Sequence, residues 1–598
     1  MSASSNINCG GLVSFQVKVA GKVIPDEKRV YSIHIEKFVN KIPLAKVTIL
    51  DGNAADGTFL GSSSKTFVPG QEITIEAGYD TENKTIFKGI ITGQNIKVND
   101  TVGSALEVEC RDDAIKMIVG RKCKTYTKKK DSDIMSSIIK SYSGLKANVS
   151  ATSGTWPEQI QYYVTDWDFI LTRSEANGLI VTTLDGKISI KKPDADKSPV
   201  LKVLYGNNLL EFNADLNSIT QLTAVKANAW DYKTQKLISS ETKNNYSGPG
   251  NLASKKLADV VKLPDYELQT TAPLEKNDLT NWTKAQLVKS DYSKIQGEVK
   301  FQGKQINPGS YLTLEGLGDR FNGDHLISGI VHDISEGNWI TEATIGLSPV
   351  WFTEEPDVMA PPTSGLIPGA SGLFNGTVKK MNEDPDNQFR VLVDIPVFDE
   401  KGQGIWARLS NFYSTNGAGA FFLPEIGDEV VVGFLNEDPR FPIILGSIYS
   451  SSKNKPYKTL KPEKDNPLKA IVSKSGMFIE FNDKDKILTL ETPKKNTIIF
   501  SDKDGKITLK DNNSNSIEMS SNGIKMKSSK NIDVDAGQKL TLKGKMGVKV
   551  ESASGDVSID GVNIKENAKM QYTAKGGMTA KINSGAQLAL KSAMIMIN

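Results

Sequence analysis

Cysteine is nearly absent: the 598 residues contain only Cys9, Cys110 and Cys123. So sparse and odd a set supports no disulfide scaffold, and the three read as plain reduced thiols. Histidine is as scarce, with His34, His325 and His332 making up the whole complement. Charge of one sign is missing too, since 73 Lys+Arg offset 70 Asp+Glu to leave a formal net charge of +3. Such a balance gives no global basic field, so no nucleic-acid partner is expected. No window nears the run of about 18 apolar residues that a spanning helix needs. The opening MSASSNINCGGLVSF lacks the basic start and apolar core of a secretory signal. The chain is therefore expected to be made and folded in a cytoplasm, with any export by another route.

The C-terminal quarter is defined by further absences. Proline ends at Pro493 and arginine at Arg440, and Tyr572 is the only aromatic after Phe500. What remains from Pro456 onward is lysine-rich and carries apolar residues in i, i+2 pairs. The pairs are Ile507/Leu509, Ile517/Met519, Ile524/Met526, Ile532/Val534, Leu540/Leu542, Val548/Val550 and Val557/Ile559. Their starts are 10, 7, 8, 8, 8 and 9 residues apart, a period of about eight, and glycines such as Gly505, Gly523 and Gly537 punctuate it. Each pair sets two side chains on one face of a short strand, with a polar residue such as Thr541 between them on the other face. A fixed period means a stack of strands rather than a globule. The inward residues are slim aliphatics or methionine, so the core is narrow and one chain alone would bury little. Several chains wrapped about a common axis would bury the stripe on all of them and leave few free edges.

Upstream, residues 1–358 read as mixed and mainly β, with alternating runs such as Lys46–Leu50 and Glu72–Glu76 between turn residues. Three helices interrupt them. One opens at Asp131-Ser132 and continues through Ile134, Ile138 and Ile139. A second begins at Thr165-Asp166, turns Trp167, Phe169 and Ile170 inward and stops at Gly178, with the Asp and the Gly as its caps. A third lies near 280–290, where Trp282 and Leu287 pack. Many short strands with few helices point to tandem antiparallel β-barrels with an inserted helical segment. Residues 359–372, with Pro361-Pro362 and a Gly/Ser-rich tail, read as a linker. Residues 373–455 hold about five candidate strands, including 389–394, Glu429–Phe434 and 443–448, enough for an OB-like barrel. Residues 456–598 are the repeat segment.

The stretch Phe421-Phe-Leu-Pro-Glu-Ile-Gly-Asp-Glu-Val-Val-Val-Gly-Phe through Asp438-Pro-Arg-Phe-Pro-Ile-Ile-Leu-Gly446 resembles the signature of the VgrG family. Asp166-Trp-Asp-Phe through Gly178 resembles that family's hub, and the order of hub, OB barrel and octad repeats matches as well. The resemblance covers essentially the whole chain. It implies phage-hub-like barrels, an OB fold and a triple-stranded intertwined β-helix. It also implies a homotrimeric spike of a contractile injection machine (type VI secretion, an extracellular particle or a phage tail). On this reading the spike is made in a bacterial cytoplasm, assembled with inner tube and baseplate proteins, and driven transiently through a target membrane. A PAAR-type tip protein and effector cargo are its implied passengers. Between barrel and repeats there is no room for a lysozyme-like domain, and the chain ends within the repeats. The needle is therefore expected to be blunt, with Met594, Ile595, Met596, Ile597 and Asn598 as its tip-binding face.

Chemical alternatives are thin. His325, His332 and Asp333 allow a His/Asp base, but satisfied structural histidines are the simpler reading. No G-x-S-x-G elbow, H-E-x-x-H or phosphate loop occurs. Asp502-Lys-Asp-Gly505 is a fragment of a calcium loop without its distal glutamate, and reads as a turn. Gly417-Ala-Gly419 is too short to cradle a phosphate, and Lys124–Lys130 reads as a solvated loop or subunit contact. No catalytic residue, cofactor or metal is assigned. The competing function is a β-helical polysaccharide-degrading enzyme, whose coils run to about 20 residues or more rather than eight. A phage baseplate hub is the same fold in another context.

Overall fold

The computed structural model describes residues 11–25, 28–100, 103–263, 265–398, 402–457, 460 and 462–597. Cys9 and Asn598 therefore lie outside the described residues. The chain forms two compact units, Met1–Ile448 and Tyr449–Asn598. No helix among the described residues is long and apolar enough to cross a membrane.

In the first unit one 13-stranded sheet carries most of the N-terminal half. Its alternating strands bury every second side chain. Val30–Phe38 turns Ile33 and Ile35 inward, and Val47, Ile49, Ile73, Ile75, Leu106 and Val108 join them in a single cluster. At the far end of the same sheet Leu201, Val203, Val299, Phe301, Leu312 and Ile330 form a second cluster. The two expected barrels are thus two cores on one continuous sheet, joined where Gly323–Ser335 pairs with Val30–Phe38. Most pairings are antiparallel, but Pro199–Leu204 runs parallel to Tyr311–Glu315.

Four helices are described: α1 (Asp131–Lys140), α2 (Asp166–Ala176), α3 (Ser254–Ala258) and α4 (Lys276–Tyr292). The N-terminal cap of α2 is Thr165 rather than the expected aspartate: its hydroxyl accepts from the Asp168 amide at 3.0 Å. Asp166 sits one position inside, buried, and accepts from Lys122 and Tyr142, each at 2.6 Å, and from Gln161 at 2.8 Å. Gly178 takes the left-handed conformation (φ 65°) just past the end, where a β-carbon would be strained. Helix α4 begins four residues earlier than the packing of Trp282 suggested, and α3 carries too short an apolar period to be read from sequence.

The 359–372 segment is more ordered than a free linker. Thr363 is buried, with its hydroxyl against the Ile367 backbone, and the Ala370 amide donates to the Glu437 carbonyl at 2.8 Å. Beyond it, Phe374–Lys380, Val391–Asp394, Ile405–Leu409, Pro442–Ser447 and Glu429–Phe434 close a five-stranded barrel. Val378, Val391, Val393, Ala407, Val430, Val432 and Ile444 fill it.

The second unit has two parts. Leu468–Val472, Phe478–Asn482, Ile487–Glu491, Thr497–Ser501, Lys506–Lys510, Ser516–Ser520 and Gly523–Lys527 form a seven-stranded antiparallel meander. After Lys527 no described residue lies in a strand. The chain instead bends at 529, 537, 545, 553, 562, 569, 577, 585 and 593. Apart from the single displaced bend at 562 the step is eight residues throughout, so the octad inferred from the apolar pairs is built into the backbone path.

Candidate functional site

The feature that sets this chain apart is an apolar face that nothing covers. In the meander, Ile507 lies opposite Met519 and Leu509 opposite Ile517, while Ile517 and Met519 in turn face Met526 and Ile524. Directly opposed residues of an antiparallel pair point to the same side, with β-carbons about 5 Å apart. The row continues upstream through Ile498/Phe500, Leu488/Leu490 and Ile479/Phe481. One face of the sheet is therefore lined with Ile, Leu, Phe and Met from Phe478–Asn482 to Gly523–Lys527, with Ile471 and Lys469 completing it on the first strand.

The exposure pattern is inverted relative to an isolated domain. Ile479 and Phe481 are exposed, while Glu480 between them is half-buried, and Ile524 stands 71% exposed. A soluble chain ordinarily breaks up apolar surface of this extent, and a contiguous apolar face marks an interaction site. The octad pairs behave the same way. Ile532, Val534, Leu540, Leu542, Val548, Val550, Val557 and Ile559 are all exposed, Leu542 to 72%. The Met594, Ile595, Met596 and Ile597 side chains at the last bend are exposed too.

The backbone of the repeats is in the same position. Among the described residues beyond Lys527, no backbone–backbone hydrogen bond links one octad to another. Extended chain in that state holds a ladder of N–H and C=O groups that folded proteins pair. Two sets of residues on this surface escaped the sequence reading. The upstream pairs obey the same i, i+2 rule, but Phe478, Phe481 and Pro493 disguised them as ordinary strand sequence. A second row lies at the bends, where Met546, Val562, Met570 and Met578 stand at 98–101% exposure. Three of its intervals are multiples of eight, which was the signal available for it.

The candidate histidines are buried, and His332 departs from the satisfied histidine expected, since its Nε2 has no hydrogen-bonding partner among the described residues. His325 is buried, its Nε2 within 2.7 Å of the Phe321 carbonyl, and burial pulls its pKa down to about 4. His332 is fully buried, with Nδ1 at 2.9 Å from Thr341 Oγ1, and burial pulls it down to about 3. Neither pairs with Asp333. That carboxylate instead meets His34 Nδ1 at 2.6 Å across two strands, and Glu36 meets Nε2 at 3.0 Å. The Asp333 hydrogen bond is the main cause of a His34 pKa raised to about 9, so the ring is a cation between two carboxylates.

Among the described residues no group of three or more His, Cys, Asp or Glu could hold a metal. Asp502–Gly505 is a turn between two meander strands, and Gly417 belongs to the turn of a small hairpin. Lys124–Lys130 is mostly strand: Lys122–Lys129 pairs only with Trp156–Val164. Cys110 is buried and Cys123 exposed.

Residues 10–336, more than half of the chain, match the family described as the Alg8 N-terminal domain. Residues 374–449 match the type VI secretion system/phage-baseplate injector OB domain, and residues 487–565 the phage baseplate V C-terminal trimerisation domain. The type VI secretion system spike protein VgrG1a of Pseudomonas aeruginosa is 35% identical over 78 residues, which are 13% of this chain and 12% of that protein. The spike protein VgrG3 of Vibrio cholerae is 34% identical over 76 residues, 12% of this chain and 8% of that one. The chain thus spans only a small part of these curated relatives. Among solved structures, the 43 kDa tail protein of prophage MuSo2 from Shewanella oneidensis has a TM-score of 0.43 at 12% identity, covering 56% of this chain and 98% of that one.

Proposed function

We propose, on the premise that this chain belongs to the Alg8 N-terminal-domain family and is a VgrG-type spike protein, that it acts as the homotrimeric central spike of a contractile injection machine. The carrying observation is the uncovered apolar face of 468–527, continued by octads between which, among the described residues, no backbone–backbone hydrogen bond runs. Three copies offer the simplest cover. Three apolar sheet faces turned toward one axis enclose a narrow core, and octads from different chains supply each other's strand pairing. The match of 487–565 to a trimerisation domain supports the same number.

The mechanical role follows from what such an assembly is good for. A core of Ile, Leu, Val and Met, closed by cross-chain hydrogen bonds, resists bending without any bond-making chemistry. Driven forward by a contracting sheath, it would cross a target membrane. In chain order, residues 1–358 would be the hub that meets inner tube and baseplate proteins, 373–455 the OB collar and 456–598 the needle. Met594–Ile597, apolar and exposed at the last bend, with Asn598 after them, would seat a PAAR-type tip protein, and effector cargo would ride with it. The protein would be made in the bacterial cytoplasm and leave it only within the particle. An enzymatic role has less support: the histidines are engaged structurally, and the eight-residue step is too short for the coils of a single-chain β-helical hydrolase. Sedimentation equilibrium of the purified chain provides the test. The expected mass is three times the 65.1 kDa of one chain; a monomer at micromolar concentration would sink the proposal.

A further inference from the structure

We propose that a cavity of about 230 Å³ walled by α1, α2 and α4 binds an organic cation, an alkylammonium or alkylguanidinium group, on the carboxylate of Asp278. This inference does not rest on the spike reading.

The argument starts from the charges around the cavity. Asp131, buried, accepts from Arg173 Nε at 3.0 Å and from its terminal nitrogen at 2.8 Å. The Asn177 amide adds a contact at 2.9 Å and the Trp156 indole one at 3.3 Å. That carboxylate is saturated, and its guanidinium partner lies 5.3 Å from the centre of the Trp156 ring. The pair is electrically closed and presents an aromatic wall rather than a charge.

Asp278, in the first turn of α4, is different. Its one recorded hydrogen-bonding partner among the described residues is the backbone of Glu275, and no ion pair is recorded for it. It faces the same cavity, half-buried, beside Asn281 and Trp282. Burial holds its carboxyl above the usual range, against the opposing pull of the Glu275 backbone hydrogen bond and of the Arg173 charge. The cavity is thus lined by a carboxylate with no direct cation contact among the described residues, with the Arg173 guanidinium acting on it only at a distance and the Trp282 indole beside it in the lining. Aromatic faces next to a carboxylate favour cations with an apolar body, which gain from the ring quadrupole as well as from the charge. The volume suits a chain of a few methylenes with its charged head and is smaller than the pockets of larger ligands. Such a cation is available as a free small amine or as a lysine or arginine side chain, on another protein or on a second copy of this chain.

The experiment titrates the purified full-length chain with agmatine, an alkylguanidinium without a carboxylate, and follows tryptophan fluorescence. Expected is saturable binding at about millimolar concentration, in keeping with a single charged contact. Asp278→Asn should weaken it at least tenfold and Trp282→Leu severalfold, with melting temperature confirming that each variant is folded. Asp133→Asn, an exposed acid on α1, should leave it unchanged, and 1-butanol should not compete. The same titration on a chain whose self-association is broken by Leu542→Ala separates the sources. Binding by both forms indicates a site open to free cations or other proteins. Binding by the dissociated form alone indicates that a second copy fills the cavity with its own cation. Absence of saturable binding in both forms, or an Asp278→Asn variant that binds as well as the parent, overturns the proposal.

Discussion

Leu542→Ala is the sharpest probe of the octads, because Leu542 makes little burial that the single chain could lose. The residue is 72% exposed within its own chain, so its stability effect must come almost wholly from whatever covers it. Leucine to alanine removes three carbons, worth about 2.4 kcal/mol when fully buried. With roughly two-thirds of the residue available for burial between chains, about 1.5–2 kcal/mol is lost per chain. A three-fold assembly repeats the substitution at one level of the needle, so the loss is about 5 kcal/mol for the trimer, before any cavity cost. That corresponds to a change of about three and a half orders of magnitude in the dissociation constant. Sedimentation equilibrium across a concentration series reads this directly, and the hub serves as internal control because its melting should not move. Lys543→Ala, a neighbouring exposed lysine, should change association by less than threefold. The reasoning fails if Leu542→Ala associates as tightly as the parent, or if it melts the hub.

Three further outcomes are expected. His34, pinned by Asp333 and Glu36, has its pKa raised from 6.5 to about 9; a raised pKa stabilises fully below pH 6.5 and is lost as pH climbs through about 9. Its side chain is 36% exposed, so screening reduces the effect to about 1 kcal/mol, and His34→Gln should flatten the fall in melting temperature over that interval; an unchanged slope would count against the ion triad. Arg173→Ala strands the buried Asp131 carboxylate and should cost about 3–5 kcal/mol in chemical denaturation, while Asp131→Leu combined with Arg173→Leu should recover most of it. In a Cys9→Ser background, a thiol reagent should modify the exposed Cys123 at once and Cys110 only after denaturation; two fast thiols would show that the sheet core around Cys110 opens in the native state.

Local rules were readable where a side chain's role is set within a few residues. The inward face of α2 and the valines of Glu429–Phe434 follow from period and side-chain size, and the eight-residue step of the bends follows the spacing of the apolar pairs around Leu540 and Val548. Caps were harder, because Thr165 and Asp166 are both good candidates and only the hydrogen bond to the Asp168 amide decides between them. Pairings between distant segments were not readable. His34 and Asp333 meet across 299 residues, and no local pattern announces that two expected barrels share one sheet. The Asp278 cavity is of the same kind, since its walls come from three helices and two strands far apart in sequence. Upstream needle pairs such as Ile498/Phe500 were visible in principle, but their aromatic residues fit an ordinary strand equally well.

Dependence on partner copies rises in steps along the chain, and this orders assembly. The first unit packs apolar cores of its own in several clusters. The meander satisfies its backbone within one chain but leaves an apolar face open, so it can form early and still requires cover. The octads satisfy neither requirement alone, and each costs backbone entropy to order before a neighbour can repay it. Pairing between chains is slow while the chains are separate and fast once they are held together, because tethering raises the effective concentration of the later contacts. Meander faces that meet first would hold three octad segments side by side and let them zip toward the C-terminus. The eight-residue bends suit that path: each octad ends where the chain must turn, so a misregistered strand would face its neighbours with lysine rather than leucine or valine. Register would thereby be corrected one octad at a time, with Met594–Ile597 the last apolar residues to be covered.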